Sequence, residues 1–151
     1  MKKFRHLVVR FCGAISRARP SPEDHVEVKS VLLSQEFDLW ETMPMIDQRH
    51  SIVVMRRFKT LRPNATVPEI RAALLHDIGK IESNLGVLGR VVATLIGPRG
   101  RRFANYHDHE KIGSQMLQTI DSDRITILLV AGEPESDVAG ALSDLCEADD
   151  I

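Results

Sequence analysis

Apolar residues recur along this chain at spacings of three and four, which is typical of amphipathic helices, and no segment alternates as a half-buried strand does. Helix starts are marked by Ser21, by Thr66 and by several prolines. One helix is predicted to end at the turn that follows Leu61, and another at Gly79. The segment 124–130 could instead be a β-rich run. The pattern nevertheless predicts an all-α protein, with helices over about 22–34, 36–42, 44–61, 66–78, 85–96, 108–120, 124–130 and 134–151.

Composition and charge limit the classes of function. We interpret residues 1–20 as a basic N-terminal arm and linker, and residues 21–151 as one helical domain. The net charge is only -1 and aromatic residues make up 5%, so nucleic-acid binding is not expected. No apolar run is long enough for a transmembrane segment, and the two cysteines form no metal-binding or disulfide motif, which indicates a cytoplasmic protein.

Ionisable residues fall on the apolar stripes of four predicted helices. A single inward histidine is usually a hydrogen-bonded core residue, but four helices that each contribute one such group indicate a shared site. Imidazole and carboxylate together form a mixed set of nitrogen and oxygen donors, which suits Mn²⁺, Fe²⁺, Mg²⁺, Zn²⁺ or a similar divalent ion. The inward residues are His50, Asp77, His109 and Asp149, and His76 lies beside Asp77 at a helix end.

Helical spacing also distinguishes between neighbouring residues that are candidate metal ligands. His107 falls on a polar face, whereas His109 lies on an apolar stripe. In the last helix Asp149 continues the apolar stripe more cleanly than Asp144 or Asp150. In the helix over 44–61 the predicted core face comprises Ile46, His50, Val53, Val54, Phe58 and Leu61.

These residues resemble the HD-domain superfamily of metal-dependent phosphohydrolases. The resemblance rests on His50 in the run DQRH, on LLHDIGK at residues 74–80, and on Ala148-Asp149. The run YHDHEKIG at residues 106–113 looks like the H-E-x-x-G stretch that follows HDIGK in many members, including the C-terminal region of bacterial CCA-adding enzymes. The resemblance covers about residues 44–150, and the chain also looks like a small stand-alone HD protein of a type common in actinobacteria.

The resemblance implies a helical bundle of about six to eight helices and a divalent metal cofactor. It implies that the protein hydrolyses a phosphomonoester, a phosphodiester or a nucleotide through a metal-activated water. The implied metal ligands are His50, His76, Asp77 and Asp149, and His109 could serve a second metal.

Asp77 and Lys80 are the implied catalytic residues. Asp77 would be a ligand that also orients or deprotonates the water, and Lys80 matches a lysine placed near the phosphate. Lys80 could instead interact with carbonyls at a helix end. The predicted basic loop could neutralise phosphate charge, or it could be a solvated surface; its candidates are Arg99, Arg101 and Arg102.

Two other functions remain open. No histidine follows His109, whereas many dinuclear members have a further one, so a mononuclear or incomplete site is expected. An HD module that binds metal or nucleotide as a regulatory or interaction domain, with weak catalysis or none, is therefore the alternative. An RNA-associated accessory domain is a third hypothesis, which the balanced charge and the scarcity of aromatic residues disfavour.

Overall fold

A computed structural model describes residues 19–83 and 108–150 of the protein, and all regular structure in these two ranges is helical. The prediction of an all-α bundle of six to eight helices is confirmed for this part of the chain. No helix in it is long and apolar enough to cross a membrane. The elements are α1 (Pro22–Val31), α2 (Ser34–Glu41), α3 (Met45–Leu61), α4 (Val67–Leu75), a 3₁₀ helix (Ile78–Ser83), α5 (His109–Thr119), α6 (Arg124–Val130) and α7 (Ala139–Asp150).

Several predicted features lie outside the described residues. They are most of the N-terminal arm, the helix predicted over 85–96, the basic loop with Arg99, Arg101 and Arg102, and His107.

Side-chain caps explain where α1, α4 and α6 begin. At α1, Ser21 Oγ accepts a hydrogen bond from the Asp24 backbone N–H at 3.1 Å, and the Ser21 backbone N–H donates to Asp24 Oδ2 at 2.8 Å. At α4, Glu69 accepts from the Thr66 N–H at 2.6 Å. Asp123 caps α6 through the Ile125 N–H at 2.8 Å. Each cap satisfies backbone donors that a helix leaves unpaired, which favours the helix over 124–130 rather than a β-rich run.

Helix α4 lies at the centre of the bundle. It packs against α1, α2, α3 and α6, while α7 packs on α3 and α5 packs on both the 3₁₀ helix and α6. A helix surrounded in this way must be apolar on every side. Its four consecutive residues Ala72, Ala73, Leu74 and Leu75 are accordingly all fully buried.

A buried polar network joins α2 to α3. Trp40 Nε1 donates to Ser51 Oγ at 2.9 Å, and the Gln48 side chain donates to the carbonyls of Glu41 and Met43, each at 3.1 Å. These bonds satisfy carbonyls at the C-terminal end of α2 and fix the rotation of α3 about its axis.

The predicted core face of α3 was partly wrong. Val53 is 41% exposed and Leu61 is 37% exposed, whereas Ile52 and Met55 are buried. Because α3 packs against α4 on one side and α7 on another, its buried surface is wider than one stripe and is turned toward Ser51.

Two predicted helix ends also differ from the structure. Helix α4 ends at Leu75, and Gly79 lies within the 3₁₀ helix without a left-handed backbone, so it is not a helix cap. Helix α7 begins at Ala139 rather than Pro134. Gly132 turns the chain after α6 with a φ of 67°, and the segment that follows is a turn held by an ion pair from Arg124 to Asp137 at 3.1 Å.

An ion-pair cluster ties α7 to the rest of the bundle. Arg62 Nε donates to Glu69 at 3.1 Å and Arg62 Nη1 donates to Asp144 at 3.1 Å. Burial raises the pKa of Glu69, but hydrogen bonds from Thr66 and Arg62 outweigh it and hold that pKa below its ordinary value of 4.5. Glu69 therefore stabilises the fold at neutral pH, and this contribution fades as the pH falls through the lowered pKa.

We expect Arg62→Met to lower the free energy of unfolding at pH 7 by about 1–3 kcal/mol, since it leaves the buried Glu69 carboxylate without its cation. Urea denaturation would measure the loss. Arg124→Met removes ion pairs that are more exposed to solvent, so it should lower the free energy of unfolding by less. The difference in the free energy of unfolding between wild type and Arg62→Met should become smaller below pH 4.5, where Glu69 begins to take up a proton. Equal losses in the two variants, or a difference that widens in acid, would contradict this account.

Candidate metal centre

The packing of α7 on α3 brings the first pair of predicted ligands together. His50 Nε2 and Asp149 Oδ1 lie 2.7 Å apart although 99 positions separate them in the sequence. The Arg57 guanidinium of α3 donates to the Ala148 carbonyl at 3.4 Å, which attaches the same stretch of α7. Asp149 is thus held by tertiary contacts of its helix, in addition to its own contact with His50.

His76 lies in the turn after α4 and points its second ring nitrogen into the site. Nδ1 lies 3.0 Å from the Ala73 carbonyl, and because a carbonyl only accepts, Nδ1 is the donor. Nε2 is buried and has no hydrogen-bond partner among the described residues. Its neighbouring acceptors are Asp77 Oδ2 at 3.5 Å and Asp149 Oδ1 at 3.6 Å. A buried ring nitrogen that faces two carboxylates and makes no hydrogen bond to the described residues is suited to ligate a cation.

Asp77 is the most deeply buried carboxylate of the group, with a side chain only 3% exposed. Its Oδ2 accepts a hydrogen bond from Lys80 Nζ at 2.5 Å, and its Oδ1 lies 3.6 Å from His109 Nε2. Imidazoles and carboxylates consequently alternate across the site in the order His50, Asp149, His76, Asp77 and His109. We call these five residues and Lys80 the HD cluster.

The positive and negative groups of the HD cluster stabilise one another's charged forms. Burial raises the pKa of Asp77, but the positive charges of His76 and Lys80 outweigh it and hold that pKa well below its ordinary range. Burial likewise opposes ionisation of Asp149, and the hydrogen bond from His50 keeps its pKa far below the ordinary value. Burial lowers the pKa of His76, yet the facing Asp77 and Asp149 carboxylates raise it overall. Both carboxylates are therefore ionised at neutral pH.

The donor atoms of three residues fit a divalent cation. One ligand atom each from His50, His76 and Asp149 lie within 4.8 Å of one another. Ligand atoms at about 2.0–2.2 Å from a common ion lie roughly 3–3.5 Å apart, which small side-chain adjustments would reach here. Asp77 lies next to these three residues, with its Oδ2 facing His76. Its other carboxylate oxygen, Oδ1, faces His109. Because the pKa of His76 is raised, a cation would compete with a proton for its Nε2.

The structure separates the predicted candidates from their neighbours. Asp149 contacts His50, whereas Asp144 pairs with Arg62 and Asp150 is exposed. The ion pair of Lys80 with Asp77 was not predicted, although their spacing of three residues could have indicated it. The close approach of Gly79 to the backbone of His109 was not predicted either, because no local pattern indicates it.

No protein-family model, curated protein or solved structure matches this chain.

We expect Lys80→Met to lower the free energy of unfolding by about 1.5–3 kcal/mol, because it removes a charged hydrogen bond from a buried carboxylate. Denaturation in the presence of a chelator would measure the loss without a contribution from metal. Lys59→Met is the matched control, since Lys59 Nζ lies 3.9 Å from Glu27 on an exposed surface and should contribute less than about 0.5 kcal/mol. Adding Asp77→Asn to Lys80→Met should restore part of the free energy of unfolding that Lys80→Met removes, because the carboxylate that needs the ammonium is then gone. If the losses of the two single variants simply add in the double variant, the ion pair of Lys80 with Asp77 is refuted.

Proposed function

We propose that this protein is a metal-dependent phosphohydrolase that acts on a phosphomonoester, a phosphodiester or a nucleotide. The observation that carries the proposal is the buried His76 Nε2, which has no hydrogen-bond partner among the described residues and faces the donor atoms of His50 and Asp149. The run HDIGK, which contains His76, Asp77 and Lys80, supports phosphoester chemistry through its resemblance to the HD-domain superfamily. We further propose a cytoplasmic location, which fits an exposed Cys146 that forms no disulfide within the described residues.

Four residues would hold the cation: His50, His76, Asp77 and Asp149. When bound, a divalent cation supplies Lewis-acid chemistry, which lowers the pKa of water and polarises a phosphoryl oxygen. The protein holds two of these ligands in a buried position and two at the surface of the site. Side-chain exposure is 12% for His76 and 3% for Asp77, against 28% for His50 and 34% for Asp149. A substrate would therefore approach from the side of His50 and Asp149.

Asp77 is suited to orient a water rather than to store its proton. A carboxylate whose pKa lies well below the ordinary range is a weak base, but it remains a strong hydrogen-bond acceptor. Its position between His76 and His109 lets it accept a hydrogen bond while the imidazoles fix its two oxygens. Asp77 would thus set the direction from which water attacks phosphorus.

Lys80 would supply positive charge to the phosphoryl group. Its ammonium is held against Asp77 at 2.5 Å, so it is positioned beside the cation ligands before a substrate arrives. A fixed cation of this kind stabilises the charge that develops on phosphoryl oxygens without reorganisation during the reaction. The same ion pair also keeps Asp77 ionised.

Metal binding is the first test of the proposal. We expect protein purified without a chelator to retain a divalent cation, measured by elemental analysis, and to bind Mn²⁺ in calorimetric titrations. His50→Ala and Asp149→Asn should each weaken Mn²⁺ binding by about 10–100-fold or more, since the first removes a ligand and the second removes the negative charge of one. Asp150→Asn is the matched control, because it changes the exposed neighbouring carboxylate of α7 and should leave the affinity unchanged. Equal losses in Asp149→Asn and Asp150→Asn would argue for a general electrostatic effect.

Turnover is the second test. We expect the Mn²⁺-loaded protein to hydrolyse at least one member of a panel of aryl phosphomonoesters, aryl phosphodiesters and nucleotides. Asp77→Asn should lower the rate by about 100-fold or more while Asp150→Asn retains it. Metal binding without turnover on any class of phosphoester would contradict the hydrolase. That result would favour the alternative of an HD module that binds metal or nucleotide as a regulatory or interaction domain.

A further inference from the structure

The backbone of the 3₁₀ helix touches the backbone of α5 at a glycine. A Cβ atom built on Gly79 would lie 1.9 Å from the His109 carbonyl oxygen and 2.6 Å from the Gly113 nitrogen. Both distances are shorter than the 3.0 Å that real Cβ contacts respect, and both opposing atoms belong to backbone, which cannot swing aside as a side chain can. Gly79 therefore permits an approach that no other residue type allows.

A second glycine faces Gly79 from α5. A Cβ atom on Gly113 would lie 3.2 Å from the Gly79 nitrogen, and it would also lie 3.0 Å from Ile78 and 3.1 Å from Val130 side-chain carbons. These contacts are tight, but two of the three are with side chains that can adjust. We call Gly79 and Gly113 the glycine contact.

The glycine contact sets the position of the first residue of α5. His109 begins this helix, its carbonyl meets Gly79, and its Nε2 lies 3.6 Å from Asp77 Oδ1. Asp77 and Gly79 are two residues apart, so one short segment both supplies the buried carboxylate and supports the backbone that carries the imidazole.

We propose that Gly79 is a positioning residue of the candidate metal centre and that the glycine contact holds His109 beside Asp77. This inference rests on the proposed function, because it assigns His109 a part in cation binding. To bring the distance between a Cβ on residue 79 and the His109 carbonyl from 1.9 Å to the 3.0 Å limit, the start of α5 must move by about 1 Å. A misplacement of this size is enough to weaken a preorganised site by an order of magnitude or more.

A double-mutant cycle on Mn²⁺ affinity tests the inference without any assay of turnover. We expect Gly79→Ala to weaken Mn²⁺ binding by about 10-fold or more, and His109→Ala to weaken it by about 10–100-fold. In the His109→Ala background, Gly79→Ala should add less than about a twofold change, since the imidazole that it displaces is already absent. An equal loss in both backgrounds would show that Gly79 acts through general packing, and unchanged affinity in Gly79→Ala would also overturn the inference.

Control variants keep the test decisive. Among the described residues, a Cβ on Gly140 of α7 would meet only Arg62 within 4 Å, at 3.7 Å, so Gly140→Ala should retain wild-type affinity. If Gly79→Ala does not fold, Gly113→Ala takes its place, with a smaller loss that again disappears in the His109→Ala background. Wild-type affinity in His109→Ala would overturn this inference and leave the proposed function standing. Failure of the wild-type protein to bind Mn²⁺ would overturn both.

Discussion

Two carboxylates, the buried Asp77 and the partly buried Asp149, set the main constraint on this structure. A buried carboxylate is costly unless positive charge and hydrogen bonds compensate it. Here the compensation comes from His50, His76 and Lys80, which hold the pKa of both aspartates below their ordinary range. None of these partners is adjacent to Asp149 in the sequence, so its negative charge is compensated only when α3, α7 and the turn after α4 are packed together. The fold and the HD cluster therefore depend on one another.

The parts of the structure that depend on local chemistry could be predicted from the sequence. Ser21 and Thr66 were identified as helix starts because a cap depends on residues within one turn of it. Asp149 was separated from Asp144 and Asp150 because the apolar stripe of a helix packed on one side follows its period. In α3 a single apolar stripe did not mark the whole buried face, because this helix packs against two others. Ile52 and Met55, which lie beside the predicted stripe, are buried as well.

Other parts depend on contacts between distant segments and could not be read from spacing. Gly79 has the position of a helix-ending glycine, yet its backbone is not left-handed and its function is to allow α5 to approach. The end of α4 at Leu75 frees His76 and Asp77 from the helix, so that their side chains point into the site from the turn between α4 and the 3₁₀ helix. Only the packing of α5 on that segment brings His109 to Asp77.

Anomalous diffraction from crystals of the full chain grown with Mn²⁺ tests the central claim most directly. The account predicts one strong anomalous peak at bonding distance from His50 Nε2, His76 Nε2 and Asp149 Oδ1, with Asp77 beside it. A peak elsewhere on the molecule, or a well-ordered HD cluster that keeps the direct contact of His50 with Asp149 and holds no ion at saturating Mn²⁺, would contradict it.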